Sequence, residues 1–505
     1  MSSGTVRTFG SAKRPFLGSP ERRILPAAIV TAVACAGLAA VMSGLGTSGA
    51  IVSLGILLLA FGMLLVREKP LFVFLLMLLS LQFLFHKSFG PIYPAQYSGA
   101  PSIFISNIGA FLIVLYALWV AEGSFLQDVR AALTRPEIYV PALGMMAVLP
   151  SIFAAEDIYL FGAELFRMGW ILMLFVYVAM RLKTRREIWF VIGALFLVAV
   201  TQSAIAVVQW KTGSSLGLGF LGEESDLGVR PLLEGELIRP SGTVVHPDFL
   251  AALVGPISLW ALSLGIELPR GRARWICLAI APIALAPLVL ALTRAALLGE
   301  AVAGALIVGT YLYRRRLRWT PVVAATGVLL GAVILTWQQI DEKIIGTIGS
   351  AQLENEIQSR LELNGIALAM VSDHPLIGVG LNNFALALGH YDVYGLLFAG
   401  NPVHNIYLVV LAETGIIGVL GMLATFVVFF RCAVRLARSS DRFFAAIGIA
   451  AVAAQVFFYV DGLLTFSLRE EMPMALYWIL AGVTVAACRI APQASLVSDT
   501  ETAGA

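Results

Sequence analysis

The sequence predicts an all-α fold, a polytopic transmembrane helical bundle of about 12–14 spans with a long periplasmic loop carrying amphipathic helices. Three observations predict it. Of 505 residues, 59% are hydrophobic and 13% charged, against a charged share of about 25% in soluble domains. So apolar a chain cannot hide its surface in one aqueous core, and the scarcity of charge excludes the disordered, acidic-tail and nucleic-acid-binding classes. The apolar residues also gather in runs long enough for helices of roughly 20 residues that cross a bilayer. Finally, Lys and Arg alternate from gap to gap, as they do when they collect in cytoplasmic loops.

Fourteen runs qualify, starting near residues 24, 49, 70, 101, 138, 160, 187, 247, 273, 295, 320, 404, 443 and 472. With the N-terminus inside, 25 of the 34 basic residues fall in the terminal segments and the even-numbered gaps, including Arg181, Lys183, Arg185 and Arg186 in one gap and Arg314, Arg315, Arg316 and Arg318 in another. Both termini are then cytoplasmic. The expected layout is a cytoplasmic tail at 1–23, helices 1–11 over 24–338 with an outer loop at 210–246, a periplasmic loop at 339–403, helices 12–14 over 404–488, and a cytoplasmic tail at 489–505. The first span, after Arg22 and Arg23, reads as an uncleaved anchor, and the small, polar tails read as unstructured. Cys35, Cys277, Cys432 and Cys488 are scattered in apolar runs and read as core residues.

Outer loops as long as 210–246 and 339–403 are uncommon unless functional or disordered. In the second, Leu353, Ile357, Leu361, Leu368 and Val371 recur at helical spacing, which predicts an amphipathic helix along the outer interface. Function is expected on that face. Arg239-Pro240-Ser241-Gly242-Thr243 leads into His246-Pro247-Asp248; an Arg pinned in a turn can fork onto two oxygens of an anion, or pair with Glu234 or Glu236. Thr293-Arg294 is the only polar break between two apolar stretches, so the chain must turn there, with Arg294 either gripping a ligand or snorkelling to a headgroup. Asn401-Pro402 suits a helix start, as cap and first turn, and places His404 near a positive helix end, where a neutral imidazole could accept a proton from a hydroxyl. Glu164 and Arg167 are expected to pair, while Glu300 and Glu413 need partners from elsewhere in the fold. No HExxH, Walker loop, GxSxG or dinucleotide fingerprint occurs, so neither a metal site nor a cofactor is expected.

His404-Asn405-Ile406-Tyr407-Leu408, running on to Leu411, Glu413, Thr414 and Gly415, resembles the O-antigen ligase and polymerase-like integral membrane glycosyltransferases. Asp373-His374-Pro375-Leu376-Ile377-Gly378-Val379-Gly380 with Asn383-Phe384, Arg239 with Gly242-Thr243, and Thr293-Arg294 support the likeness over roughly residues 239–420. The resemblance implies transfer of a glycan from an undecaprenyl-diphosphate carrier to an acceptor hydroxyl, either on a growing glycan or on lipid A-core, at the periplasmic face of the bacterial inner membrane. It implies inversion without metal or cofactor, and partners in an envelope polysaccharide assembly complex. Arg239 and Arg294 would hold the diphosphate and His404 would be the base, with Arg360 near the carrier phosphate and His246, Asn405 and Tyr407 as substrate-binding neighbours. A competing reading is a polysaccharide-lipid flippase or other multi-span transporter, although transporters place their polar residues at mid-membrane on broken helices, whereas these cluster at outer ends.

Overall fold

The computed structural model describes residues 62–63, 65–83, 85–93, 99–224, 230–232, 235–237, 239–316, 351–393, 395 and 403–502, with single positions between 323 and 334. The expected spans near 24, 49 and 320, and the segment holding Asn401 and Pro402, lie outside the described residues. The helices are α1 (Lys69–Ser80), α2 (Asn107–Ala121), α3 (Phe125–Leu133), α4 (Pro136–Met146), α5 (Ile158–Arg181), α6 (Arg185–Thr212) and α7 (Pro247–Glu267). After them come α8 (Arg272–Leu290), α9 (Arg294–Tyr313), α10 (Ala351–Asp373), α11 (Phe384–Tyr391), α12 (Ile406–Ala437), α13 (Arg442–Asp461) and α14 (Glu471–Thr502). The strands form two short antiparallel pairs, β1 (His86–Phe89) with β2 (Ile103–Ser106) and β3 (Arg230–Leu232) with β4 (Gly235–Leu237).

Among the described residues nine helical segments are long and apolar enough to cross a membrane, or ten if α2 and α3, bent by 105°, make one broken span. The protein is a polytopic helical bundle. The nine expected starts at 138, 160, 187, 247, 273, 295, 404, 443 and 472 each fall within two residues of an observed helix start. α1 is a shorter apolar helix of 12 residues. α14 continues to Thr502 where an unstructured tail is expected.

The chain divides into two compact units, Met1–Val73 with Ile113–Leu126 and Phe74–Leu112 with Gln127–Ala505. In the first, Tyr116, Trp119 and Phe125 form an aromatic cluster with ring centroids 5.3–6.1 Å apart. The second holds the nine spans. Helix starts there are fixed by side-chain caps: Asp157 accepts from Tyr159 and Leu160 at α5, Thr184 and Glu187 form a capping box at α6, and Asp441 accepts from Phe443 and Phe444 at α13. α7 and α13, with 89% and 83% of their apolar windows buried, are inner helices, whereas α9 and α12, at 33%, turn a flank outward. Cys432 on α12 and Cys488 on α14 meet as free thiols with sulfurs 2.8 Å apart.

α12 is two helices joined at Gly415, whose φ of 63° and ψ of −167° lie in a region that only glycine occupies readily. The loop after α10 threads into this break. Val379 and Gly380 donate backbone N–H groups to Ala412 and Glu413 O at 2.9 Å, and Ile416 donates to Pro375 O at 3.0 Å. A Cβ on Gly415 would lie 2.2 Å from the Leu376 carbonyl carbon, and one on Gly378 2.3 Å from that of Glu413. The piece from Ile416 to Ala437 has 22 residues, about 33 Å of helix, and can span by itself.

α10 forms over the stretch where the helical spacing places it. Leu363, Ile366, Ala367 and Met370 pack on Phe384, Val403, Val409 and Ala412, while Ile357, Leu361 and Leu368 are more than half exposed or close to it, at 50%, 59% and 54%. The helix therefore carries two apolar stripes, one for the protein and one turned away from it.

Candidate active site at the outer helix ends

The loop ahead of α7 is held by two buried glutamines of α6. Gln209 accepts from the Gly242 N–H at 2.8 Å and donates to its carbonyl at 2.9 Å, and Gln202 donates to Thr243 Oγ1 at 2.7 Å. Gly242 has a φ of +64°, and a Cβ there would meet Gln202 Oε1 at 2.1 Å. Gly242 and Thr243 are thus the loop's anchor.

Arg239, buried to 6% exposure, donates through Nε to Ala291 O at 2.8 Å and through Nη2 to Asp248 Oδ1 at 2.7 Å and Thr293 Oγ1 at 3.2 Å. Its carboxylate partner among the described residues is Asp248, in the first turn of α7; the Glu234 and Glu236 side chains lie outside the described residues. Thr293 Oγ1 donates to the same Asp248 oxygen at 2.9 Å. Arg239 therefore ties the loop ahead of α7 to the α8–α9 turn. His246 is the cap of α7, its Nδ1 accepting from the Asp248 N–H at 3.2 Å.

Both turns are strained. Val245, just before His246, and Leu292, just before Thr293, have φ of +55° and +50°, a left-handed conformation costly for side chains with a Cβ, most of all a branched one. Arg294, next along from Thr293, is exposed and has neither hydrogen bond nor ion pair among the described residues.

His404 precedes the cap of α12. That cap is Asn405, whose Oδ1 accepts from Tyr407 and Leu408; the Asn401 cap expected from sequence gives way to it, and His404 lies outside the helix, beyond its first turn. The imidazole packs against Phe466 with ring centroids 5.2 Å apart, and its buried Nδ1 has no hydrogen-bond partner among the described residues. Burial foremost, then the positive charge of Arg360, holds its pKa below the ordinary imidazole value, with Asp248 pulling the other way and His246 adding to the depression. Arg360 of α10, Asp248 of α7 and its cap His246 thus all lie within electrostatic reach of His404. Tyr407 is engaged elsewhere, its hydroxyl donating to Tyr459 O at 2.9 Å.

Asp248 thus joins Arg239 and Thr293, His246 caps the helix that carries it, and Arg360 and His404 lie near enough for the one charge to act on the other; Arg294 follows Thr293 in the chain. Asn405 and Tyr407 belong to the scaffold beneath. A neutral imidazole with an unpaired nitrogen can take a proton, and unpaired guanidinium groups can meet an anion. Sequence reasoning missed Arg469, which pairs with Glu413 at 2.6 Å beside the expected Glu164–Arg167 pair, also at 2.6 Å. Glu300 finds Ser258. Among the described residues no His, Cys, Asp and Glu group has the grouping of a metal site.

Residues 278–423 match the family model of the O-antigen ligases. The matched stretch includes Arg294, Arg360, His404 and the Gly415 break. No curated protein matches the chain. Over this stretch the chain is similar to O-antigen ligases, and the likeness supports a membrane glycosyltransferase-like function in polysaccharide assembly.

Proposed function

We propose that this O-antigen-ligase-like, multi-pass membrane protein transfers a glycan from an undecaprenyl-diphosphate carrier to an acceptor hydroxyl at the periplasmic face of the bacterial inner membrane, with both termini cytoplasmic. The observation that supports it most is the anchoring of Arg239 and Thr293 on Asp248, within electrostatic reach of a half-buried imidazole whose Nδ1 has no partner among the described residues. His404 takes the proton of the attacking acceptor hydroxyl, which displaces the carrier diphosphate from the anomeric carbon with inversion. The departing diphosphate gains negative charge, and donors already in place stabilise it without reorganisation. Arg294 and Arg360, exposed and uncommitted among the described residues, meet that charge. Arg239 is mostly consumed by Ala291, Asp248 and Thr293, so it acts chiefly by fixing the turn that presents Arg294. His246 closes the pocket beside Asp248, and the acceptor is a glycan chain or lipid A-core.

The test is transfer from a lipid-linked glycan by the purified protein in detergent. Arg294→Ala and His404→Ala should each lower the rate by about 10²–10³-fold, the usual cost of removing one such group. Full activity in both variants at normal protein level removes this site. A transporter makes no product in detergent, so turnover by the wild-type protein also separates transfer from flipping.

A further inference from the structure

Below the Arg469–Glu413 and Arg167–Glu164 pairs lies a cavity of about 160 Å³ between α4, α5, α12 and α14. Its lower walls are apolar, with Met168, Met422, Phe426, Met474 and Trp478 among them. Such a volume is close to the roughly 150 Å³ at which an apolar cavity takes up a benzene-sized hydrocarbon. Methionine walls adapt to irregular chains. Along α12 the chamber reaches Phe426, eleven residues or about 16 Å from the end at Ala437, near the middle of a roughly 30 Å hydrocarbon layer. Only the α4–α12 wall separates it from the outward-facing Leu143, Met146 and Leu420, exposed by 58–60%. In that wall Gly144 and Gly421 cross so closely that a Cβ on either would meet the other's carbonyl oxygen at 2.5–2.6 Å.

The polar end fixes the ligand's chemistry. Two guanidinium groups face two carboxylates, and the oxygens of those carboxylates are met by Arg167, Arg469 and the backbone N–H groups of Ala100, Asn382 and Phe384. Arg167 also donates to Arg469 O at 2.6 Å. Among the described cavity-lining residues one buried polar atom has no partner, Nε of Arg167, a residue only 5% exposed. The carboxylates of Glu470 and Glu471 act on the same guanidinium groups, so the positive charge is already fully matched; one spare N–H suits a neutral acceptor oxygen, and a diphosphate would bring charge that nothing at this end balances. We infer that this cavity is a binding site for one acyl chain of an ester-linked lipid, its hydrocarbon running down the methionine-lined chamber and its ester carbonyl accepting from Arg167 Nε. The ligand differs from the donor in carrying no charge at that end, and the inference rests on membrane embedding alone, independent of the transfer chemistry.

Crosslinking of the full chain in phosphatidylethanolamine–phosphatidylglycerol vesicles tests this. One arm carries a phosphatidylethanolamine with a diazirine in the middle of one acyl chain, the other a polyprenyl phosphate with a diazirine in its chain, and labelled residues are mapped by peptide mass spectrometry. The acyl probe should label Met168, Met422 or Met474. Val410→Trp, which fills the cavity, should lower that labelling by about tenfold or more, equivalent to about 1.4 kcal/mol of binding, and leave labelling of Leu143 and Leu420 unchanged. Met422→Trp is a second filling variant, read at Met168 and Met474. An excess of unlabelled acylated glycolipid that removes the label, where equal phosphatidylethanolamine does not, assigns the site to an acceptor lipid; equal competition assigns it to bilayer lipid. Labelling confined to outward-facing residues in the wild-type protein overturns the inference, as does labelling of the three methionines by the prenyl probe at least as strong as by the acyl probe.

Discussion

At the scale of single side chains, a general base is useful only in its unprotonated form, and His404 is kept so by burial and by Arg360. Its pKa lies below the ordinary value of 6.5, so the acid limb of kcat/KM should fall below pH 6.5. The same depression means that the unfolded chain takes up this proton first, and the group's contribution to stability is lost as pH drops through that window. Arg360→Gln removes a nearby cation, so the limb should move to higher pH, toward 6.5, apart from any change in the plateau. A pH–rate profile of the two proteins decides it, and superimposable limbs would mean that Arg360 does not act on His404. His404 and Arg294 stand out in the sequence because polar residues at the edge of apolar runs are few. The partner of Arg239 does not, because the sequence offers Glu234 and Glu236 nearby while the fold brings in Asp248 from α7.

At the scale of elements, hydrocarbon leaves little choice: every spanning backbone group must bond within its own helix, so long apolar runs reveal nine helix starts to within two residues. Local caps are less decisive. Asn401-Pro402 and Asn405 both fit a helix start, and Asn405 takes the α12 cap because the backbone N–H of Ile406, just after it, bonds to Gly462 and Thr465 O in the turn beyond α13. The stripe of Ile357, Leu361 and Leu368 was legible and stands exposed, whereas the stripe of Leu363, Ile366, Ala367 and Met370 was not, because only the fold supplies what it packs against. The Gly415 break was invisible for another reason, since it exists only where the loop from Pro375 to Gly380 enters α12. Gly378 of that loop serves the crossing with α12, while Gly380 makes room for Ala155. Gly415→Ala should therefore destabilise by about 1–3 kcal/mol from backbone strain alone, with the Leu376 contact adding to it. Thermal unfolding in detergent should show a lower midpoint for Gly415→Ala and an unchanged one for Gly309→Ala, where an added Cβ meets nothing within 4 Å; equal midpoints for the three proteins would show that the break carries no strain.

At the scale of the whole molecule, the two buried ion pairs join parts of the chain that sequence spacing cannot relate. Glu164 and Arg167 are three residues apart and were legible as a pair, whereas Glu413 and Arg469 are brought together by the packing of α12 against the turn before α14. Through them, Ala100, Asn382 and the Arg469 carbonyl are drawn into one hydrogen-bonded group. A buried pair of this kind adds little over a well-packed apolar substitute, yet removing one partner leaves the other charge uncompensated, typically at a cost of about 3–5 kcal/mol. Arg469→Gln and Glu413→Gln should each lower stability in that range, and the double variant should cost clearly less than the two together, because neither half is left charged and alone. Denaturation midpoints of the four proteins at matched detergent close the cycle. Strict additivity would show that the two groups act separately, and the outer ends of α5, α12 and α14 would then have to be held by packing alone. Coupling of a kcal/mol or more makes the pair the fastener that sets these helix ends, and with them the start of α12 next to His404, seven residues before Glu413 at Ile406.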